Sequence, residues 1–239
     1  DVTVWRDGKK YSLHFEKGEN IGGLESEPAD RKQTGSRIRW RPDIEVFTEI
    51  DIPEEYFLDI LKRQAVVNAG VTFRFRNEKS GKFEVTDFKY ENGIIDYVAE
   101  LAGEDSLTRP VFFESERRGR DREDKPEYKV KLSAAFCFSN RTSVTEYYHN
   151  SSWLEYGGSP EKAVRSAFVS AIDAYLRKNG KYQKNESKIN FADVQDCLVL
   201  VTNCFSTYTS YENQTKKAIT NKFIQEAMTE FFKENLEVY

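Results

Sequence analysis

The chain has 239 residues, 38% of them hydrophobic and 32% charged, with a formal net charge of −4. That length holds one large domain or two modest ones, and the charge excludes a protein whose whole surface is built for nucleic acid, leaving room only for a local basic path. No apolar run approaches the roughly 20 residues of a membrane span.

Val2–Arg6 and Lys9–Phe15 flank Asp7-Gly8, a strong type I′ turn signal, and predict a β-hairpin. Glu16–Gln33, rich in Gly, Glu, Asp and Lys, reads as a loop, and Ser36–Trp40 alternates as a strand that ends at Pro42-Asp43. Ile52–Asn68 carries apolar residues at helical spacing, with Pro53 in the first turn and Gly70 as a C-terminal cap. Val71–Arg76 alternates again and pairs with Phe83–Tyr90. Gly93–Ala102 is a short amphipathic helix. Val111–Ser115 and Tyr128–Ser139 form a hairpin around the mixed-charge loop Glu116–Lys125, expected to be a solvated tip, and Val144–His149 is a further strand. Ser159-Pro160 predicts a helix start, with Ser as N-cap and Pro at the first position. That helix is expected to bury Val164, Ala167, Phe168, Ala171, Ile172 and Tyr175 and to end at Gly180. Cys197–Phe205 reads as a buried strand. A last helix is predicted from about Thr215 to Asn235, burying Ile219, Phe223, Ile224, Ala227, Met228 and Phe231. Strands and helices mix without regular βαβ alternation, so the fold class is α+β; the weakest seam lies at residues 88–93.

Much familiar chemistry is missing. There are two histidines, His14 and His149, no HExxH, no Cys/His metal spacing, no GxSxG and no phosphate-binding Gly-rich loop ending in Lys-Ser/Thr. Cys137, Cys197 and Cys204 lie in or beside apolar stretches and read as buried reduced thiols. The four Asn-x-Ser/Thr triplets, starting at Asn140, Asn150, Asn185 and Asn213, read as chance. The chain begins at Asp1, not Met, and reads as a piece of something longer.

One stretch gathers polar chemistry, Glu212-Asn-Gln-Thr-Lys-Lys-Ala-Ile-Thr-Asn-Lys-Phe223. A helix N-terminus attracts anions through its unpaired N–H groups, and a lysine placed there opposes the helix dipole unless an anion sits nearby. Lys216 offers a point charge to a phosphate and Gln214 an amide donor. By the residues alone, a polar loop with Thr215 as N-cap is the ordinary reading.

The triplet Gln214-Thr215-Lys216, after an apolar strand and before a long helix, resembles the motif of the DNA gyrase B and topoisomerase IV family. Other blocks resemble the family in the same order: "TGSRIRWRPDIEVF" (34–47), "LKRQAVVNAGVTFRFRNE" (61–78), "YENGIIDYV" (90–98), "EYGGSPEKAVRSAF" (155–168) and "ADVQDCLVLVTN" (192–203). Departures are Ser36 for the second threonine of the family's Thr-Gly-Thr, Ser159-Pro160 for Thr-His, Ala163 for glycine, and Gln195 and Cys197 for an Arg and a Gly.

The resemblance implies that residues 1–88 are the C-terminal portion of a GHKL-type ATPase domain and 89–239 a transducer domain of ribosomal-protein-like fold. It implies an ATP-hydrolysing isomerase as the full-length protein, using ATP and Mg2+. Neither is expected to bind well to this chain alone, since the family's catalytic glutamate, magnesium-binding asparagine and lid belong to the preceding half. Gln214 and Lys216 match the family's contacts to the terminal phosphate, Lys216 with a catalytic role. Ser36 falls on the adenine side, and Arg165 near an arginine that faces DNA. The implied partners are DNA, a gyrase A-type cleavage subunit and a second copy, paired through the N-terminal ATPase domain, in the cytoplasm and away from membranes. A MutL-type mismatch-repair ATPase, or a nucleic-acid-binding or scaffold module that never meets ATP, are the alternatives.

Overall fold

Asp7 and Gly8 take φ values of 55° and 76°, the left-handed backbone that a type I′ turn requires. They join β1 (Val2–Arg6) to β2 (Lys9–Glu16) as an antiparallel hairpin, Val4 opposite Tyr11. The computed structural model describes residues 1–239, which divide by compactness into two units, Asp1–Glu54 and Glu55–Tyr239. This division falls ahead of the seam expected near residue 88.

In the first unit, β3 (Glu19–Pro28) pairs with β2, and β4 (Gly35–Ile38) pairs with β1, giving the order β3-β2-β1-β4. The expected loop over Glu16–Gln33 is therefore mostly a strand. Its signal is faint because Gly22, Gly23 and three glutamates dilute it, and every residue of β3 is exposed. Backbone pairing alone holds this edge, and charged side chains suit an edge strand. No residue of Asp1–Glu54 is buried.

The second unit opens with α1 (Glu54–Val67), as expected, then the hairpin of β5 (Phe73–Lys79) and β6 (Lys82–Phe88). Gly70 has the expected positive φ of 77°, but its N–H goes to the Tyr90 carbonyl. Next come α2 (Ile94–Ala102), β7 (Val111–Gly119), β8 (Tyr128–Phe138), β9 (Val144–His149) and the short β10 (Ser152–Trp153). The chain finishes with α3 (Ser159–Lys178), α4 (Phe191–Gln195), β11 (Leu198–Ser206) and α5 (Lys222–Val238).

One five-stranded sheet, ordered β10-β9-β11-β8-β7, organises this unit. β11 lies at its centre, parallel to β9 and antiparallel to β8, which is why the run from Leu198 to Cys204 is buried throughout. Alternation then sorts the side chains to two faces. Leu132, Ala134, Phe136, Leu198 and Leu200 face α3 and α5, where Val164, Phe168, Ile224, Met228, Phe231 and Phe232 complete one core. Ala135, Cys137, Val199 and Val201 face α2 and the end of α1, where Ala65, Val66, Ile94 and Val98 complete the other. The result is a mixed α/β fold with helices on both faces of the sheet.

Several boundaries differ from expectation. Gly158 is the N-cap of α3 and Ser159 is already helical, with no side-chain cap. Tyr175 is exposed while Ala163 is buried in its stead. β7 runs on through Gly119, so the first four residues of the charged loop are strand, and its Arg117 pairs with Glu234 of α5 at 2.7 Å. The three cysteines are free, two of them buried.

Candidate functional site

The largest correction concerns the stretch that holds Gln214 and Lys216. α5 begins at Lys222, six residues past Lys216, and its foot already has an anion. Asp121, from the β7–β8 connection, accepts the Phe223 N–H at 2.9 Å through Oδ1 and the Asn221 Nδ2 amide at 3.0 Å through Oδ2. The carboxylate also accepts the Tyr128 hydroxyl at 2.9 Å. A helix with no acid in its own first turn thus takes its N-terminal charge from elsewhere in the fold. The helix-terminus argument for a phosphate at Lys216 falls with this.

Gln214, Thr215 and Lys216 instead occupy the tip of a narrow two-stranded excursion between β11 and α5. Ser210–Glu212 runs out and Ala218–Thr220 returns: Glu212 N–H donates to Ala218 at 3.0 Å, Thr220 N–H to Ser210 at 2.8 Å, and Tyr211 bridges to Ile219. At the tip, the Asn213 side-chain oxygen accepts both the Thr215 N–H at 3.1 Å and the Thr215 hydroxyl, a local turn of the kind asparagine favours. Lys216 closes it with φ 58°, a left-handed backbone uncommon for a lysine.

Three anchors fix the excursion. The first is at its root. Asn150 Nδ2 donates to the Ser206 carbonyl at 3.1 Å and its Oδ1 accepts the Ser206 N–H at 3.0 Å. His149, fully buried, meets the Thr209 hydroxyl at 2.7 Å through Nε2, and burial pushes its pKa down to about 4. The second anchor is Gly158, whose backbone bridges to Ile219 while Ser159 N–H donates to the Ile219 carbonyl at 2.9 Å. Gly158 has φ 86°, and a Cβ there would collide with that same carbonyl, so the position requires glycine twice over. The third is Lys217, which forms an ion pair with Glu155 while its carbonyl accepts the Tyr156 N–H at 2.9 Å. Glu155 holds the Lys217 ammonium above the usual lysine range.

The consecutive lysines are therefore placed differently. Lys217 and Thr215 line a cleft of about 540 Å3 whose other wall is Tyr56, Asp59 and Arg63 of α1, with Trp153. Arg63 stacks over the Trp153 ring at 3.9 Å and reaches Asp59 at 2.9 Å and Glu146 at 3.7 Å. Gln214 and Lys216 do not line this cleft. Lys216 has no carboxylate within ion-pair distance; its ammonium lies 5.6 Å from the centre of the Tyr211 ring. The Gln214 side chain is exposed and makes no hydrogen bond. An ammonium with no acid partner, two residues from an uncommitted amide, suits an anion.

The other expected site residues are not at the tip. Arg165, on the exposed face of α3, bonds Glu161 at 2.8 Å and lies over the Phe191 ring at 4.6 Å. Ser36 belongs to the first unit, on β4 opposite Val4. A cavity of about 440 Å3 on that sheet is lined by Thr3, Ser12, His14, Arg37 and Arg39 but not by Ser36, whose side chain alternates to the other face. No cluster of three or more His, Cys, Asp or Glu side chains is arranged to hold a metal ion. Sequence reasoning paired Gln214 with Lys216 but missed Tyr211, Glu155 and Gly158. Only the Gly157-Gly158 pair carried a local signal for this.

The chain resembles known proteins over nearly its whole length. It is 24% identical to the DNA gyrase B protein of Synechocystis over 98% of this chain and 22% of that protein. It is 28% identical to the DNA gyrase B protein of Mycoplasma genitalium (92% and 34%) and 24% identical to the DNA topoisomerase 4 B protein of Rickettsia conorii (99% and 36%). The chain thus spans between a fifth and two fifths of the length of these relatives. Among solved structures, the 43K ATPase domain of Thermus thermophilus gyrase B, in complex with an aminocoumarin, superposes with TM-score 0.73 at 24% identity, over 99% of this chain and 62% of that one. The topoisomerase IV ATP-binding domain of Francisella tularensis gives 0.73 at 23%, over 100% and 63%. These likenesses speak for the fold. The protein-family model for DNA gyrase B matches residues 93–239, more than half of the sequence, and the chain belongs to the DNA gyrase B family.

Proposed function

We propose that this chain is the segment of an ATP-dependent type II DNA topoisomerase that couples nucleotide state to DNA strand passage. Residues 1–88 form the end of a GHKL-type ATPase domain and 89–239 the ribosomal-protein-like transducer. The observation that carries this reading is the pair at the tip: Lys216, a cation with no carboxylate partner, beside the uncommitted amide of Gln214. Such a pair suits the terminal phosphate of ATP, with the ammonium as point charge and the amide as donor. Ser36 takes the adenine-side role that the resemblance implies, in the full-length protein. By the resemblance, Mg2+ would be held by an asparagine of the preceding half of the ATPase domain.

ATP supplies the phosphoryl bond whose hydrolysis drives the cycle. Lys216 stabilises charge on the departing phosphoryl group, and loss of that anion releases the tip. The excursion's anchors to Asn150, Gly158 and Glu155 connect the tip to the central sheet, so release is transmitted as a rigid-body movement. DNA is the proposed substrate of that movement, with Arg165 facing it. A gyrase A-type cleavage subunit and a second copy complete the enzyme, a cytoplasmic one. No helix is long and apolar enough to cross a membrane.

Replacing Lys216 with Ala in the full-length protein should cut ATP turnover by about 100-fold or more, the scale of losing one charge-stabilising contact, with unchanged circular dichroism. Turnover at the wild-type rate would refute the assignment.

A further inference from the structure

The tip holds two adjacent lysines with unlike neighbours. Lys217 is neutralised by Glu155 and lies 5.5 Å from the Tyr156 ring centre. Lys216 has a ring and no acid. We propose that the face of Tyr211 is the resting seat of the Lys216 ammonium, which holds the cation at the tip without cancelling its charge and is vacated when a phosphate arrives. This rests on the reading of Lys216 as the phosphate contact.

Three observations support a built seat. Tyr211 is fixed from below: its backbone bridges to Ile219, its side chain packs against the core under α3 and α5, and its ring stands edge-on to His149 at 6.4 Å and 81°. The 5.6 Å separation lies within the range at which a ring quadrupole attracts a cation. The Tyr211 hydroxyl makes no hydrogen bond, so the ring face is the part of this side chain that the tip uses. A carboxylate in the same place would cancel the charge of the ammonium and would repel an incoming phosphate. A ring face leaves the charge in place, repels no phosphate and costs it about two- to five-fold in affinity. The seat also restricts a long, rotamer-rich side chain that would otherwise sample solvent.

The test separates ring from bulk. Carbon–proton spectra of the 239-residue chain, with lysines labelled and Lys216 assigned by its loss in Lys216→Ala, report whether its Cε protons are shifted upfield by an aromatic ring. Wild type and Tyr211→Phe should show the shift, and Tyr211→Leu should lose it. In the full-length protein, Tyr211→Leu should bind a non-hydrolysable ATP analogue about two- to five-fold more tightly, while Tyr211→Phe binds as wild type. No upfield shift in wild type, the same shift in Tyr211→Leu, or a lost shift with unchanged or weaker binding would each overturn the proposal. Should Tyr211→Leu fail to fold, the wild-type full-length protein still decides: with lysines labelled, saturating analogue must return its Lys216 signal to the ordinary position, and a shift that persists overturns the seat. A Lys216→Ala enzyme with undiminished turnover, alongside an intact ring shift, sinks the phosphate assignment and not the seat.

Discussion

His149 anchors the excursion as a neutral ring, and that sets a pH dependence. Its burial against Thr209, Ser206 and Tyr211, with Nδ1 unpartnered, lowers its pKa from 6.5 to about 4. The unfolded chain therefore takes up a proton at this residue between pH 6.5 and 4 that the folded chain refuses. Stability from this group is complete above pH 6.5 and declines as pH falls to about 4, by about 3 kcal/mol in all. Urea unfolding at a series of pH values should show this slope, and His149→Gln should flatten it relative to wild type. Equal slopes in the two proteins would mean that the imidazole is protonated, or solvated, in the fold. At this scale the sequence was partly legible. Gln214 and Lys216 could be named as candidates for an anion because an amide and an ammonium two residues apart are visible in the letters, and their role stays a proposal. Tyr211 could not, because its relation to Lys216 passes through the backbone bridge to Ile219, and nothing in the letters places the ring under the ammonium.

At the scale of elements, α5 shows how periodicity can overrun a boundary. Ile219 lies four residues before Phe223, so both fit one helical stripe. Ile219 is buried for another reason: its backbone is clamped against Gly158, outside any helix. The true start, Lys222, is set by Asp121 from a hundred residues away in sequence, a tertiary cap with no local signature. Asp121→Ala would leave the Phe223 N–H, the Asn221 amide and the Tyr128 hydroxyl without their acceptor. It should cost about 2 kcal/mol in urea unfolding, the combined scale of a lost cap and a part-buried polar group left unpaired. Asp121→Asn, which keeps one acceptor oxygen, should cost about half as much. A neutral effect of both would show that α5 is held by its apolar face alone. The buried strands were the easiest elements to read, because Leu198–Val201 is central and apolar on both faces. The edge strand β3 was the hardest, since it buries nothing.

At the scale of the molecule, the same contrast separates the two units. Glu55–Tyr239 covers its five-stranded sheet on both faces and owns both apolar cores. Asp1–Glu54 has a four-stranded sheet and no buried side chain, with Leu24, Ile38, Trp40, Ile44 and Val46 each more than 60% exposed. Ordering each residue costs about 1–2 kcal/mol in backbone entropy, and burial that would offset it is lacking here. Between β4 and α1, residues 39–53 form neither helix nor strand and carry Arg39 followed by Trp40, the features that invite cleavage. Brief trypsin treatment of the native chain should therefore cut first after Arg39, since Pro42 blocks cleavage after Arg41, and leave a resistant core ending at Tyr239. That core should unfold cooperatively at a temperature within a few degrees of the parent, because both of its apolar clusters survive the cut. The released N-terminal piece should lack a cooperative transition, being short of the buried surface that stabilises a small sheet. First cuts within 60–90 instead would mean that α1 and the β5–β6 hairpin are held more loosely than β1–β4, which would move the mechanical seam to the boundary that the sequence alone suggested.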